Sequence, residues 1–528
     1  MDIDCISYDS INFLPPLIQD YLNSNKELAK NYSFAPNIEG FSKAIESRKL
    51  DSGIRNILAE TLLNQYANVP DNERQLKSIE LLKQQNTFTV TTGHQLCLFT
   101  GPLYFIYKIL SVVKLSEELK AKFPQNNFVP IYWMATEDHD FEEINHFIFK
   151  GKKVEWKSDF GDAVGRMDAD LVELSNSFKD LLGPGKNAKY LSKLFEESYK
   201  NRNLAEATQI LVHKLLGDFG IVIIDADNKD LKRVFIPVMK LEIESHVSQN
   251  EVSNTSDALL KQGYKTQVNP RDINLFYLNG GKRLRLSLTK NGVEIVDGGK
   301  SWSTEEILSD LNNFPERFSP NVILRPVYQE CILPNLSYTG GVGELSYWFQ
   351  LKSTFDAFKI QFPILLLRNS GVVIGKNDIT RLSKLNLKVD DLFKDVLELE
   401  KQVVSSFTVN EVDLLEEKKE LGFLFNTIKE KAITIDKSLN QTTDASLAKA
   451  IKVLDKLEKK LARSEKLKHG VHLEQLHHVL EGVYPNGTFQ ERRNNFSDVY
   501  LELGDDFFNK MKDAFSPLRP DITVLKID

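Results

Sequence analysis

Two apolar runs that bracket one helical run near residue 90 restrict the fold more than any other feature of the chain. Asn86-Thr87-Phe88-Thr89-Val90-Thr91-Thr92-Gly93 is rich in β-branched residues and stops at a glycine, which predicts a strand followed by a turn. Tyr104 to Lys120 places apolar residues at helical intervals, and Asn127 to Ala135 is again largely apolar. Strands without polar alternation are buried on both faces, as in a parallel sheet covered by helices. Gly220 to Asp225 and Phe362 to Arg368 supply further compact apolar runs, each followed by helix-like sequence. The expected class is α/β, with a mostly parallel sheet.

At 528 residues the chain exceeds a single core, since cores stop growing at roughly 250–300 residues. A core over 1–385 is expected, with a helical N-terminal preface and two inserted segments at about 145–215 and 250–315. From Val412 to Leu439 the residues Leu414, Leu421, Phe425, Ile428, Ala432, Ile435 and Leu439 fall mostly in alternating three- and four-residue steps, a heptad seam. A second seam uses Leu447, Ala450, Leu454, Leu457 and Leu461. Two antiparallel helices in a coiled-coil domain over 386–475 fit this pattern, with 476–528 returning to the core. Exposed seams commonly find a partner, so a homodimer through 412–461 is expected.

The formal net charge of -7 offers no basic excess for nucleic-acid phosphates or an anionic membrane. The densest apolar run, Pro363 to Leu367, is far too short to span a bilayer, and the acidic start Met1-Asp2-Ile3-Asp4 is unlike a secretion signal. Cys5, Cys97 and Cys331 lie far apart, without the spacing of a disulfide framework or a thiolate zinc site. The expectation is a cytoplasmic protein without a resident metal centre.

Three clusters carry chemistry. Thr91 to Tyr104 sits where the first strand turns toward a helix, the edge at which open α/β sheets bind ligands. Its glycines permit close backbone approach, and free amides at the helix start favour an anion; the same residues also read as a tight turn. Thr136-Glu137-Asp138-His139-Asp140-Phe141-Glu142-Glu143-Ile144-Asn145-His146 follows the second strand, and a helix there would place His139, Glu143 and His146 on one face. Such groups suit a general base for an incoming amine, a divalent ion that neutralises phosphates, or a helix start that complements the dipole. Phe318 to Glu330 and Thr339 to Glu344 contribute Arg325, fit to hold a carboxylate or phosphate, and Glu344 beside a glycine turn. Gly298-Gly299-Lys300-Ser301 lacks the upstream glycine of a phosphate loop.

Taken together, Thr92-Gly93-His94-Gln95, Thr100-Gly101-Pro102-Leu103-Tyr104, Glu137 to His146, Asp225-Ala226-Asp227, Phe318-Ser319-Pro320-Asn321, Leu324-Arg325-Pro326, Gly340-Gly341 and Tyr484 to Arg492 resemble the BshC family, cysteine-adding ligases of bacillithiol biosynthesis. The resemblance spans nearly the whole chain. It implies a Rossmann-like core with inserted segments and a coiled-coil domain, and addition of cysteine to glucosaminyl malate through an activated cysteine carboxyl. It also implies catalytic roles for Glu137, His139 and Asp140. Substrate binding would fall to Gly93, His94, Gln95, Thr100, Gly101, Tyr104, Asp138, His146, Arg325, Gly340, Gly341, Glu344, Gln490 and Arg492. ATP with Mg would activate the carboxyl, although no ATP site is legible in the sequence. Many relatives carry glutamine where this chain has His94, which assigns His94 to binding. The alternatives are a metabolite-binding coiled-coil scaffold and a nucleotidyltransferase-like enzyme with another substrate.

Overall fold

The computed structural model describes the whole chain except residues 1, 2, 9, 10, 12, 159–162, 201, 281, 297, 409–412, 520 and 528. Val412, the first residue of the expected seam, therefore lies outside the described residues. Two compact units emerge among the described residues, one from 374–487 with 526–527, the other from 3–373 and 488–525.

The larger unit is built on strands β1 (Thr87–His94), β2 (Asn127–Met134), β3 (Val222–Asp225), β4 (Asn335–Gly340) and β5 (Ile364–Leu367). They form one sheet in the order β5-β4-β1-β2-β3, and every pairing in it is parallel. Helix α1 (Tyr104–Lys122) connects β1 to β2, and α2 (Val342–Trp348) follows β4. Burial explains the composition: Val90, Ile131, Ile223, Leu336 and Leu365 are each fully buried. This is the α/β, Rossmann-like arrangement that the apolar runs predict.

Three buried threonines of β1 reach across to β4. Thr89 and Thr91 donate from Oγ1 to Asn335 Oδ1 at 3.1 and 2.8 Å, and Thr92 donates to the Thr339 carbonyl at 2.8 Å. A buried hydroxyl costs little once it has a partner, so threonine serves here as a β-branched residue that also links β1 to β4.

Of the segments between core strands, 145–215 opens with an antiparallel hairpin, His146–Phe149 with Lys152–Glu155. It then runs into helices Val172–Leu182, Lys186–Tyr199 and Leu204–Leu216. The segment after residue 270 forms an antiparallel sheet with Lys282–Thr289 between Leu275–Asn279 and Gly292–Ile295, and Phe318–Pro320 on the other side of Leu275–Asn279. In a separate three-stranded sheet, Ile3–Ser7 pairs antiparallel with Asp521–Ile527, with Ile3 opposite Leu525.

In the smaller unit, helices Leu415–Ile435 and Leu439–Lys468 form an antiparallel hairpin. Lys418 pairs with Asp455 at 2.8 Å and Glu458 at 2.6 Å, and Lys429 pairs with Asp444 at 2.8 Å. Partners that draw closer in number toward the turn define opposite chain directions. No residue of Leu415–Ile435 is buried. Among the described residues no helix is long and apolar enough to cross a membrane.

Candidate active site

A cavity of about 780 Å³ opens at the C-terminal ends of β1, β2 and β4. Its position follows from register. Gly93 lies opposite Trp133 and His94 opposite Met134, so both chains leave the parallel sheet at the same edge. The neighbouring antiparallel sheet supplies part of the wall through Leu275, Phe276, Arg283, Arg285 and Pro320. Arg283 and Arg285 are two apart on one strand and share a face, and the Arg283 guanidinium lies 4.1 Å from the Phe276 ring.

Of the residues singled out from sequence, Gly93, His94, Gln95, Tyr104, Glu137, Asp138, Arg325, Gly341, Glu344 and Arg492 line this cavity. Thr100, Gly101, His139, Asp140, His146, Gly340 and Gln490 do not. His139 and Asp140 are exposed, the His139 ring accepting from Arg283 Nη1 at 3.1 Å. The helix expected after β2 is a single turn, Phe141–Ile144, and His146 already begins a strand, so His139, Glu143 and His146 do not share a helical face. The physical reason is that His146 Nδ1 and Asn145 Oδ1 meet at 2.9 Å while the chain enters a hairpin whose Phe147 and Phe149 are buried.

Thr100 and Gly101 belong to a tight turn. Phe99, Thr100 and Gly101 have φ of 46°, 70° and 62°, and Asn495 Nδ2 donates to the carbonyls of Phe99 at 2.8 Å and Gly101 at 2.6 Å. A Cβ on Gly101 would stand 2.6 Å from Cys97 Cβ. The Leu103 amide at the start of α1 donates to the Asn494 carbonyl at 2.7 Å, so this helix start is occupied by the protein's own backbone. Gln490 is similarly engaged, its amide exchanging hydrogen bonds with the Val373 backbone at 2.9 Å each way.

Two charged networks shape the cavity. In the first, Lys232 donates to Glu137 Oε1 at 2.6 Å and to Asp227 Oδ1 at 3.0 Å, while Arg166 Nε donates to Asp227 Oδ2 at 2.9 Å. Burial pushes the Glu137 carboxyl up, against the pull of Lys232. Burial also opposes the charge on Lys232, but Glu137 and Asp227 outweigh it and raise the ammonium. Asp225 accepts from Thr136 Oγ1 at 2.5 Å, and its carboxyl is pushed up by burial and by neighbouring Asp227.

In the second network, buried Lys108 donates to the Gly93 carbonyl at 2.5 Å and to Glu344 Oε2 at 2.7 Å. Glu344 also accepts from the Gly341 amide at 2.9 Å and from the Tyr338 phenol at 2.7 Å. Burial opposes its charge, but Lys108 and these donors together hold Glu344 down at about 2. Burial, reinforced by Lys108, pushes His94 down to about 3. The imidazole is therefore neutral near pH 7, able to hydrogen-bond much as a glutamine side chain does. Cys97, 3.9 Å from His94 Nε2, is pushed up to about 12 chiefly by burial, which leaves it a thiol rather than a nucleophilic thiolate.

Arg325 completes the wall. Its Nη1 donates to Gln329 Oε1 at 3.1 Å, its guanidinium lies over Trp133 and Tyr338 at 5.8 and 5.5 Å and beside the Tyr347 phenol, and its buried Nη2 has no partner at ordinary hydrogen-bond distance. A Cβ on Gly93 would come within 3.5 Å of Arg325 Nη1 and 3.3 Å of the Tyr338 oxygen, so glycine there leaves both groups room.

The description "Bacillithiol biosynthesis BshC, N-terminal Rossmann-like domain" matches residues 1–369, and "Bacillithiol biosynthesis BshC, C-terminal coiled-coil domain" matches 372–527. The chain belongs to the BshC family. Relatives named "Putative cysteine ligase BshC" from Flavobacterium psychrophilum and Flavobacterium johnsoniae are each 43% identical, with 100% of both chains covered. One of the same name from Bacillus cereus is 27% identical over 95% of this chain and 96% of its own. This chain is accordingly a ligase-family enzyme, and Gly93, Glu137, Arg325 and Glu344 line one cavity in it.

Sequence reasoning passed over Lys108, Lys232, Arg283 and Arg285. Lys108 had a signal, being the sole charge between Tyr104 and Val113 in an otherwise buried helical stretch. The two arginines lie in the segment at about 250–315, which reads only as an insertion. Lys232 carried no local signal, because its partners are brought to it by the fold.

Proposed function

We propose that this chain joins the carboxyl of cysteine to the amine of glucosaminyl malate, forming the amide bond that completes bacillithiol. The observation that carries this reading is Arg325, whose buried guanidinium faces the cavity and forms no ion pair among the described residues. A buried cation without a counter-ion favours an anionic ligand, and a carboxylate matches its fork of donors.

ATP with Mg²⁺ is the proposed source of activation, converting a carboxyl oxygen into part of a leaving group. Arg285, with Nε buried and unpartnered, and Arg492, both lining the cavity, are of the type to hold its phosphates. The chain's own residues do the rest. Arg325 orients the cysteine carboxyl, neutral His94 and Gln95 border it, and Glu137 accepts the proton that the attacking amine loses as the C–N bond forms. The activated oxygen departs with its leaving group. Glu137 is the proposed proton acceptor because it alone of Glu137, His139 and Asp140 lines the cavity.

Incubation with cysteine, glucosaminyl malate and ATP should yield a thiol product heavier than the acceptor by one cysteinyl residue, found by mass spectrometry. Consumption of ATP without that product, or no turnover at all, would overturn the assignment.

A further inference from the structure

We infer that Lys108 is a positioning residue that keeps Arg325 free for a substrate anion by taking up the neighbouring Glu344 carboxylate. The inference rests on the reading of Arg325 as the holder of a substrate carboxylate. Tyr338 borders both Glu344 and Arg325: its phenol donates to Glu344 Oε1 at 2.7 Å, and its ring lies 5.5 Å from the guanidinium. Glu344 is near enough to act on the Arg325 charge, and a carboxylate and a guanidinium side by side in a largely enclosed site commonly form a bidentate pair. They do not, because Glu344 Oε2 is held by Lys108 at 2.7 Å and the Gly341 amide at 2.9 Å. Lys108 does not line the cavity and its side chain is only 1% exposed, so its effect on a ligand passes through Glu344.

Charge counting gives the consequence. Lys108, Glu344 and Arg325 carry one net positive charge, which an incoming anion neutralises. Without Lys108 the remaining pair is already neutral, and Glu344 competes with the ligand for Arg325. A purely structural role for Lys108, through its bond to the Gly93 carbonyl, makes a different prediction, since neutralising Glu344 would not repair it.

The test titrates the full-length protein calorimetrically with L-cysteine and, separately, with L-malate. Lys108→Met should weaken binding of the Arg325-dependent anion by about tenfold or more, the scale of one charged hydrogen bond. The double variant Lys108→Met/Glu344→Gln should return to within about threefold of wild type, and Glu344→Gln alone should bind at least as tightly as wild type. If Lys108→Met does not melt cooperatively, the other two variants decide the matter by the same criteria. A double variant as weak as Lys108→Met, or weak binding by Glu344→Gln, overturns the inference while leaving the Arg325 reading intact. Arg325→Gln separates the two: undiminished binding there, or a wild type that binds neither probe, removes the Arg325 reading and the inference together.

Discussion

Lys232 holds Glu137 and Asp227 with one ammonium, at 2.6 and 3.0 Å. The arrangement fixes the Glu137 carboxyl at the cavity wall: burial pushes it up overall, with Lys232 and Arg283 favouring its ionisation and Asp227 opposing it. If Glu137 accepts the amine proton, Glu137→Gln should lower kcat by roughly a hundredfold or more with little change in melting temperature. Lys232→Met removes a group that lowers the Glu137 pKa, so the acid limb of the kcat/KM profile should move to higher pH. A profile that stays in place would assign proton acceptance elsewhere.

His94 should be replaceable by glutamine. Its pKa of about 3 keeps the ring neutral through the working pH range, so His94→Gln should retain activity within about tenfold. The same depression links stability to pH. The unfolded ring protonates near 6.5 and the folded ring only near 3, so this contribution is complete above pH 6.5 and is lost as pH falls toward 3. Urea unfolding at pH 7.5 and 5 should show a smaller acid penalty for His94→Gln than for wild type.

The turn before α1 should be a stability element. Asn495 is fully buried and satisfies the carbonyls of Phe99 and Gly101. Asn495→Ala should cost about 2–4 kcal/mol in chemical denaturation by leaving buried acceptors unpaired. Gly101→Ala should also destabilise, since its φ of 62° and the approach of Cys97 both exclude a Cβ.

A homodimer through 412–461 is the remaining expectation. The hairpin leaves Phe423 72% and Val453 64% exposed, with Ile428, Leu457 and Leu461 also open to solvent. Light scattering should report twice the chain mass. Charged replacements at Leu421, Phe425, Leu454 and Leu461 should yield a folded monomer, and a wild type that already scatters as a monomer contradicts the expectation.

The parallel sheet, the helix between its first two strands and the antiparallel hairpin were all readable from local pattern. An apolar run buried on both faces or a heptad seam reports its surroundings directly. The family motifs also placed Glu137 and Arg325 among the residues of interest, although a general position is all that a motif conveys. Whether each side chain reaches the cavity was decided by tertiary structure. His139 and Asp140 stand beside Glu137 in sequence yet turn outward, because the chain passes through a single helical turn into a hairpin. Lys232 meets Glu137 across 95 residues and Lys108 meets Glu344 across 236, and each pair sets charges that no local segment encodes. Electrostatic partnership depends on distance and burial in space. Periodicity along a chain records which face is buried, not which charge will be found there.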